Sequence, residues 1–270
     1  MDYFYLKRIN WFFRGINHFV RLVGSGEPTV HPDFASVIQI FHDEGHRLKL
    51  ITNGQLLSKY REEISANLDA LIVSVHGDEQ THDLLVRRTG SYYRLMHGLE
   101  DVLGINPKMD TTLHFVITPE NYHQMGTHVG IAKKIGVKAR FQHLAFTAGD
   151  INSGKFDLDL LKEMVLEIKA MYPEVRFVPE LTSEQIDSYY DTSNHYIRNP
   201  HGCHRILTDL AVRYDGKVIM CDNKCLGDIT NQSIIDIISG EQRRQHLINR
   251  TEQAHSPEGL PLSCSRCCYN

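Results

Sequence analysis

Residues 19–34 read Phe-Val-Arg-Leu-Val-Gly-Ser-Gly-Glu-Pro-Thr-Val-His-Pro-Asp-Phe, and this stretch decides the fold. An apolar run predicts a buried strand, which the segment Gly24-Ser25-Gly26-Glu27-Pro28 must end. The glycines allow close approach to the main chain, and the proline restricts the loop. Glu27 places a carboxylate at the carboxyl end of the strand, where parallel sheets bind ligands. The loop is therefore either a site for a ligand with an ammonium group or a plain turn.

The rest of the chain alternates predicted helices and strands, which is typical of a parallel sheet or barrel with right-handed crossovers. The predicted helices cover an approximate pattern before residue 15 and then 34–44, 56–66, 91–103, 122–135, 156–172 and 233–249. The predicted strands cover 19–23, 47–52, 70–75, 111–117, 138–144 and 175–178. We therefore expect an α/β fold built on parallel strands.

Composition limits the classes of function. The chain has 270 residues, of which 41% are apolar and 23% charged, as in an ordinary globular protein. A formal net charge of −4 argues against a general nucleic-acid surface. No apolar run is long enough to cross a bilayer, and the N-terminus shows no signal-peptide cleavage site. We expect a cytoplasmic protein without a membrane or nucleic-acid partner.

The cysteines are confined to the last third of the chain, at Cys203, Cys221, Cys225, Cys264, Cys267 and Cys268. Clustered cysteines without a signal peptide indicate a metal site and not disulfides. Asp215-Gly216 between two alternating runs predicts a hairpin that brings Cys203 towards Cys221. Cys264 and Cys267 have the two-residue gap that lets two thiolates bind one centre. Zinc and an iron–sulfur cluster both accept four thiolates, and the spacing does not separate them.

Further motifs follow the glycine loop in a fixed order: Thr52-Asn53-Gly54, then Val73-Ser74-Val75-His76-Gly77, then Glu79-Gln80-Thr81-His82-Asp83 before Gly90-Ser91. In this order they resemble the radical S-adenosylmethionine (SAM) enzymes, whose second barrel strand typically ends in Gly-Gly-Glu-Pro. The C-terminal cysteines around Gly216 and Gly227-Asp228-Ile229 are similar to the auxiliary-cluster module of that family, called SPASM or, in its shortened form, twitch. The resemblance implies a partial (β/α) barrel over 1–182, a linker over 183–202, and an iron–sulfur module over 203–270.

The resemblance also implies the site residues. It places the cofactor's methionine amino group at the glycine loop and its ribose or carboxylate at Ser74. The candidate cofactor-binding residues are Gly24, Ser25, Gly26, Glu27, Pro28, Thr52, Asn53 and Ser74. An auxiliary [4Fe-4S] cluster would be held by Cys203, Cys221, Cys264 and Cys267. Cys225 and Cys268 are then substitute ligands or free thiols. The implied activity is that of an oxidoreductase, which uses a 5′-deoxyadenosyl radical to modify a peptide or small molecule.

One family motif is absent from these residues. No cysteine precedes Cys203, so the Cys-xxx-Cys-xx-Cys loop that binds the catalytic cluster is missing. The chain resembles either a truncated member or a degenerate homologue, and its affinity for SAM is expected to be weak or lost and the chain alone inactive. The exposed edge of the first strand is expected to be covered by the helix around Trp11 or by a partner chain. The alternative is a non-catalytic binding or scaffold protein with a structural iron–sulfur or zinc site.

Overall fold

The computed structural model describes residues 3–13, 19–24, 26–144, 156–190, 205–220 and 224–254. These residues form two compact units. The larger unit takes in the described parts of 13–144 and 156–180, and the smaller unit takes in those of 1–12 and 181–270. No helix in the described ranges is long and apolar enough to span a membrane.

The larger unit is built on a six-stranded sheet in which neighbouring strands are parallel and follow chain order. Its strands are β1 (Phe19–Leu22), β2 (Arg47–Thr52), β3 (Ala70–Ser74), β4 (Asp110–Ile117), β5 (Lys138–His143) and β6 (Arg176–Val178). The helices up to this point are α1 (Tyr3–Phe13, in the smaller unit), α2 (Phe34–Asp43), α3 (Arg61–Asn67), α4 (Glu79–Val86), α5 (Ser91–Ile105), α6 (Met125–Ile135) and α7 (Leu158–Met171). Parallel strands joined by helices confirm the predicted α/β class.

One face of this sheet forms the core with the helices. Leu50, Leu113, Phe115 and Phe141 alternate onto this face, and each is 0% exposed. The ring of His128, on α6, lies 5.0 Å from the ring of Phe115 and 5.2 Å from that of Phe141. Burying side chains of this size contributes about 1.5–3 kcal/mol each, so this face provides much of the unit's stability.

The opposite face of the sheet, called the polar face below, carries charged and hydrogen-bonding side chains. The strand register places them in neighbouring rows, so that Arg21 pairs with Lys49, and Ser74, His114 and Arg140 lie side by side. The polar and charged residues of this face are Arg21, Arg47, Lys49, Ser74, Asp110, Thr112, His114, Lys138, Arg140, Gln142 and Arg176. Because side chains alternate along a strand, this set is separate from the helix-packed core.

Two helical regions of the larger unit differ from the prediction. The stretch predicted as one helix over 56–66 is a 3₁₀ turn, Ser58–Tyr60, followed by α3. Helix α4 was not predicted, because its sequence is mostly polar. The carboxylate of Asp78 caps it by accepting from the amide of Thr81 at 2.9 Å, and Arg87 ends it in a left-handed conformation with φ +54°. Its start is therefore stabilised by a local cap.

The smaller unit contains a three-stranded antiparallel sheet. Its elements are α8 (Ser183–Tyr190), α9 (Arg205–Thr208), β7 (Ala211–Val212), β8 (Lys217–Ile219), β9 (Cys225–Asp228), α10 (Ile234–Ser239) and α11 (Glu241–Ala254). The predicted hairpin is present as β7 and β8, and Gly216 turns it with φ +85°. The sequence did not predict β9, which pairs with β8. The predicted single helix over 233–249 is broken at Gly240, whose backbone is extended with φ −70° and ψ +160°.

A small core holds this unit together, formed by the buried residues Val218, Met220, Leu226, Ile229 and Ile237. Tyr5 and Ile9 of α1 pack against it. These two residues are four apart, so they lie on one side of the helix. The described contacts place the apolar side of α1 on the core of the C-terminal strands. That the edge of β1 is covered by the helix around Trp11 or by a partner chain stays a prediction.

The region predicted as a linker over 183–202 begins with an ordered helix. Ile186, Tyr189 and Tyr190 of α8 are buried, at helical spacing. The sequence did not predict this helix, because the intervening residues are polar and the apolar side consists mainly of tyrosine. The division into a barrel over 1–182, a linker and a module over 203–270 stays a prediction.

Candidate cofactor site

Glu27 joins the loop after β1 to the end of β2. Its Oε1 accepts hydrogen bonds from the Thr29 amide at 3.1 Å, the Thr29 hydroxyl at 2.7 Å and the Thr52 hydroxyl at 2.7 Å. Its Oε2 accepts from the amide of Asn53 at 2.7 Å. Pro28 follows as the first residue of a 3₁₀ turn, Pro28–Val30, where its missing N–H costs nothing. The glycine loop and the Thr-Asn-Gly motif thus form one structure.

The Thr-Asn-Gly motif is a tight turn whose hydrogen bonds are internal. Thr52 is 2% exposed, and its hydroxyl also accepts from the amide of Gly54 at 3.0 Å. The side-chain oxygen of Asn53 accepts from the amide of Gln55 at 3.0 Å. Gly54 has φ +78°, and a Cβ there would lie 2.8 Å from Cγ of Leu95. Thr52 therefore orients Glu27 from a buried position, and glycine at position 54 is required by both conformation and packing.

The glycines of the β1 loop behave differently from Gly54. Neither Gly24 nor Gly26 has a positive φ. A Cβ on Gly24 would make only an ordinary contact, 3.9 Å from the amide nitrogen of Gly26, and a Cβ on Gly26 would meet no atom within 4 Å. Neither the backbone nor the packing of the described residues explains these glycines. The remaining explanation for glycine at these two positions is the open space beside the loop, which a side chain would occupy.

The end of β3 lies next to this loop. The register pairs Thr52 with Val73, so Ser74 follows at the same end of the sheet. Beyond it, the ring of His76 stacks on that of His82, with centroids 5.7 Å apart. Burial, together with the nearby His82, lowers the pKa of His76 to about 4. Its imidazole is therefore neutral at physiological pH.

His82 and Asp83 connect this strand end to α5. His82 is buried; its Nδ1 accepts from the amide of His76 at 3.3 Å, and its Nε2 lies 3.4 Å from the hydroxyl of Ser91. Because Nδ1 accepts, the proton is on Nε2. Asp83 accepts from the amide of Tyr92 at 2.8 Å, which lowers its pKa with further help from the amide of Gly90. The His and Asp of the Glu-x-x-His-Asp motif therefore connect the end of β3 to the start of α5 by hydrogen bonds.

The predicted metal ligands lie outside the described residues. This applies to Cys203, Cys221, Cys264 and Cys267, and also to Cys268 and to Ser25 of the glycine loop. Cys225 is described: it is exposed at the start of β9.

Sequence reasoning missed several residues that shape this site. Thr29 is 0% exposed and gives Glu27 two of its four hydrogen bonds. Its position two residues after the acid, in Glu-Pro-Thr, is typical of a cap. The charged residues of the polar face were also missed. The available signal was a polar side chain at every second position of buried strands, at Arg21, Lys49 and Arg140.

The C-terminal residues match a family model. Residues 203–268 match SPASM, an iron–sulfur cluster-binding domain.

Curated and solved relatives cover more of the chain. A stretch of 159 residues is 28% identical to an S-adenosylmethionine-dependent nucleotide dehydratase of Selenomonas ruminantium, covering 53% of this chain and 57% of that protein. In fold, 90% of the chain superposes on 59% of Streptococcus suis SuiB bound to its precursor peptide SuiA, with a TM-score of 0.64 and 14% identity. For SuiB bound to S-adenosylmethionine, the TM-score is 0.61 and the identity 14%, with 93% of this chain superposed on 60% of SuiB.

The chain spans somewhat under two thirds of the length of these relatives. The SPASM match assigns the C-terminal domain, and the SuiB structures share the arrangement of a parallel sheet with helices followed by a C-terminal module. Together with the sequence relative, these findings support a radical SAM protein of the SPASM type.

Proposed function

We propose that this chain binds SAM at the carboxyl ends of β1, β2 and β3, and that its C-terminal domain holds one [4Fe-4S] cluster. The cluster ligands would be Cys203, Cys221, Cys264 and Cys267. The protein to which these residues belong would be an oxidoreductase that modifies a peptide or small molecule. When bound, the cofactor supplies the hydrogen-abstracting radical chemistry of the family.

The observation that carries the proposal is the pair of glycines in the β1 loop. At the nearby position 54, the positive φ and the contact with Leu95 require a glycine, whereas neither constraint applies at position 26. A residue without a side chain, facing open space at the carboxyl end of a parallel strand, suits close approach by a ligand. The backbone around Gly24 and Gly26 would then contact the methionine part of SAM.

The donor set also fits the cofactor. Glu27 Oε2 accepts one hydrogen bond from the Asn53 amide, and a carboxylate oxygen has room for a second donor. An ammonium group could therefore bind there while Oε1 keeps its three bonds to Thr29 and Thr52. In this arrangement Thr52 is a positioning residue, and Ser74 offers a hydroxyl from the neighbouring strand.

The substrate class rests on the relatives. SuiB has been solved with a precursor peptide, and the curated relative is named as a nucleotide dehydratase, so both a peptide and a small molecule are supported. A non-catalytic homologue is the second candidate. It is favoured by the four hydrogen bonds of Glu27, which a purely structural turn would also contain.

Calorimetric titration with SAM separates these candidates. We expect weak binding to the wild-type chain and loss of binding in Gly26→Val, because the valine side chain would fill the open space. Gly130→Ala is the matched control, since a Cβ there also meets nothing within 4 Å but lies on α6. Glu27→Gln should weaken binding about ten- to a hundredfold, as expected for a lost charged hydrogen bond.

Equal SAM affinity in Gly26→Val and wild type would contradict the proposed site and favour the structural turn. Thermal unfolding of each variant shows whether a loss of binding reflects a loss of folding.

A further inference from the structure

The turn between α4 and α5 presents two consecutive arginines. This turn, called the α4–α5 corner below, covers residues 87–90 and begins with Arg87 and Arg88, both exposed. Their backbone amides donate to the carbonyls of Leu84 at 3.2 Å and Asp83 at 3.0 Å. In the part of the chain that the structure describes, neither guanidinium has a hydrogen bond or an ion pair. Both positive charges are therefore available to a binding partner.

Arg87 occupies a position that favours glycine. Its φ is +54°, and it is the one residue other than glycine with a positive φ among those described. Helix α6 ends in the same kind of cap, but there the residue is Gly136, with φ +75°. In both caps the amide donates to the carbonyls three and four residues earlier. A side chain is strained in this conformation, so an arginine that makes no recorded side-chain contact indicates a role other than folding.

The acid nearest to the two arginines along the chain holds the backbone of the corner. The carboxylate of Asp83 accepts from the amides of Gly90 at 2.5 Å and Tyr92 at 2.8 Å. These bonds lower the pKa of Asp83, with the amide of Tyr92 contributing most. The corner is thus fixed by hydrogen bonds before any partner binds, which reduces the entropy lost on binding.

Exposed apolar side chains flank the two charges in the sequence. Leu84, three residues before Arg87, is 74% exposed, and Tyr93, in the first turn of α5, is 67% exposed. Arginine and tyrosine are both enriched in protein interfaces. A nucleic acid would gain little from the leucine, and the chain's net charge of −4 gives it no general attraction. The combination favours a polypeptide that carries acidic and apolar side chains.

Hydrogen bonds connect the corner to the candidate cofactor site. The Nε of Arg94 donates to Oε1 of Gln55 at 3.0 Å, and its Nη2 donates to the carbonyl of Thr89 at 3.4 Å. The amide of Gln55 donates to Oδ1 of Asn53, whose own amide donates to Glu27. The corner therefore lies beside the carboxyl end of β2, within reach of a polypeptide that binds there.

We propose that the α4–α5 corner binds an acidic segment of a polypeptide substrate. Arg87 and Arg88 pair with its carboxylates, which guanidinium groups bind through two parallel hydrogen bonds. Leu84 and Tyr93 contact its apolar side chains. All four residues belong to the larger unit.

This inference deepens the proposed function by naming a recognition surface for its substrate, and it rests on that function for the assignment of the bound polypeptide as substrate. Peptide binding at the corner is measured without SAM. A failure of the glycine-loop site would leave the peptide result unchanged, and a failure of peptide binding would leave the SAM titration unchanged.

The test is fluorescence anisotropy of the 270-residue chain with a short fluorescein-labelled peptide of glutamates around a central leucine. The measurement is made at low ionic strength, where exposed charges are least screened. The same peptide with glutamine in place of glutamate is the uncharged probe, and a single-stranded oligothymidylate represents nucleic acid. We expect the acidic peptide to bind more tightly than either, and its affinity to fall as salt is added.

Two variants separate a binding role from a structural one. Arg87→Gly and Arg88→Gln should each weaken binding of the acidic peptide about two- to fivefold, as for loss of an exposed ion pair. Arg87→Gly should at the same time raise the midpoint of thermal unfolding, because it removes the strained side chain. Lys134→Gln, which removes an exposed cation on α6, is the matched control and should bind as wild type does.

Three results would overturn the proposal. One is equal affinity for the acidic peptide in wild type and in the variant that combines Arg87→Gly with Arg88→Gln. Another is binding of the glutamine peptide or the oligothymidylate at least as tight as that of the acidic peptide. The last is a lower thermal midpoint in Arg87→Gly, which would show that the arginine contributes to the fold.

Discussion

Glu27 shows how one side chain can connect two motifs that are far apart in the sequence. Its carboxylate receives the Thr52 hydroxyl and the Asn53 amide from β2, and the Thr29 hydroxyl and amide from its own loop. Thr52 is the buried member of this group, and its hydroxyl both donates to Glu27 and accepts from Gly54.

Replacing Thr52 by valine tests this connection. Thr52→Val keeps the shape but removes the hydroxyl, leaving the Gly54 amide and a carboxylate oxygen short of partners. We expect the free energy of unfolding to fall by about 1–3 kcal/mol, the usual cost of leaving buried polar groups unsatisfied. Urea denaturation measures it. Thr112→Val, half-buried in the same sheet, should cost much less; similar losses in both variants would show that the Glu27 bonds contribute little.

At the scale of elements, the hairpin and β9 form a described part of the C-terminal domain. Strand β9 packs so closely on α10 that a Cβ on Gly227 would lie 2.7 Å from Cγ1 of Ile237. Cys225 starts this strand in register with Ile219, exposed, with its Sγ 3.6 Å from the carbonyl oxygen of Gly227. This backbone contact makes Cys225 the natural control for the predicted ligands.

Iron analysis of anaerobically purified protein tests the ligand assignment. We expect about four irons per chain, as for a cluster held by four thiolates. Cys203→Ala and Cys267→Ala should lose the iron, whereas Cys225→Ala should keep it. One zinc per chain would contradict the cluster type. Loss of iron in Cys225→Ala but not in Cys221→Ala would contradict the ligand set.

At the scale of the whole molecule, stability is coupled to pH through buried histidines. Burial lowers the pKa of His128 to about 4 and those of His114 and His143 to about 3, and each ring is therefore neutral in the folded state. In the unfolded chain the same rings bind a proton near their ordinary pKa of about 6.5. Unfolding takes up protons below that pH, so acid favours the unfolded state.

We therefore expect the free energy of unfolding to fall as pH decreases from about 6.5 to about 4, by up to about 1.4 kcal/mol per pH unit for each such histidine. Urea titrations at several pH values measure the slope. His128→Leu should make it shallower, even though the hydrogen bond from Nε2 to the Leu113 carbonyl is lost. His42→Leu, at an exposed position, is the matched control variant. An unaltered slope in His128→Leu would contradict the assignment.

The parts that could be predicted are those encoded by local patterns. The alternation of apolar runs and helical periods located six parallel strands, and Asp215-Gly216 located the hairpin. Helices α4 and α8 were missed because their stability comes from a cap at Asp78 and from buried tyrosines, not from an apolar repeat. The four bonds to Glu27 and the rows of cations on the polar face depend on strand register, which the sequence did not supply.

The packing of α1 has a consequence for synthesis on the ribosome. Tyr5 and Ile9 are translated before the whole six-stranded sheet, whereas the core they pack against, which includes Val218 and Ile237, is translated after it. Until that core has been translated, Tyr5 and Ile9 lack these contacts, and an isolated helix of eleven residues is barely stable in water. The contacts of Tyr5 and Ile9 with this core can therefore form only after residues 218–237 have emerged, later than the strands of the larger sheet.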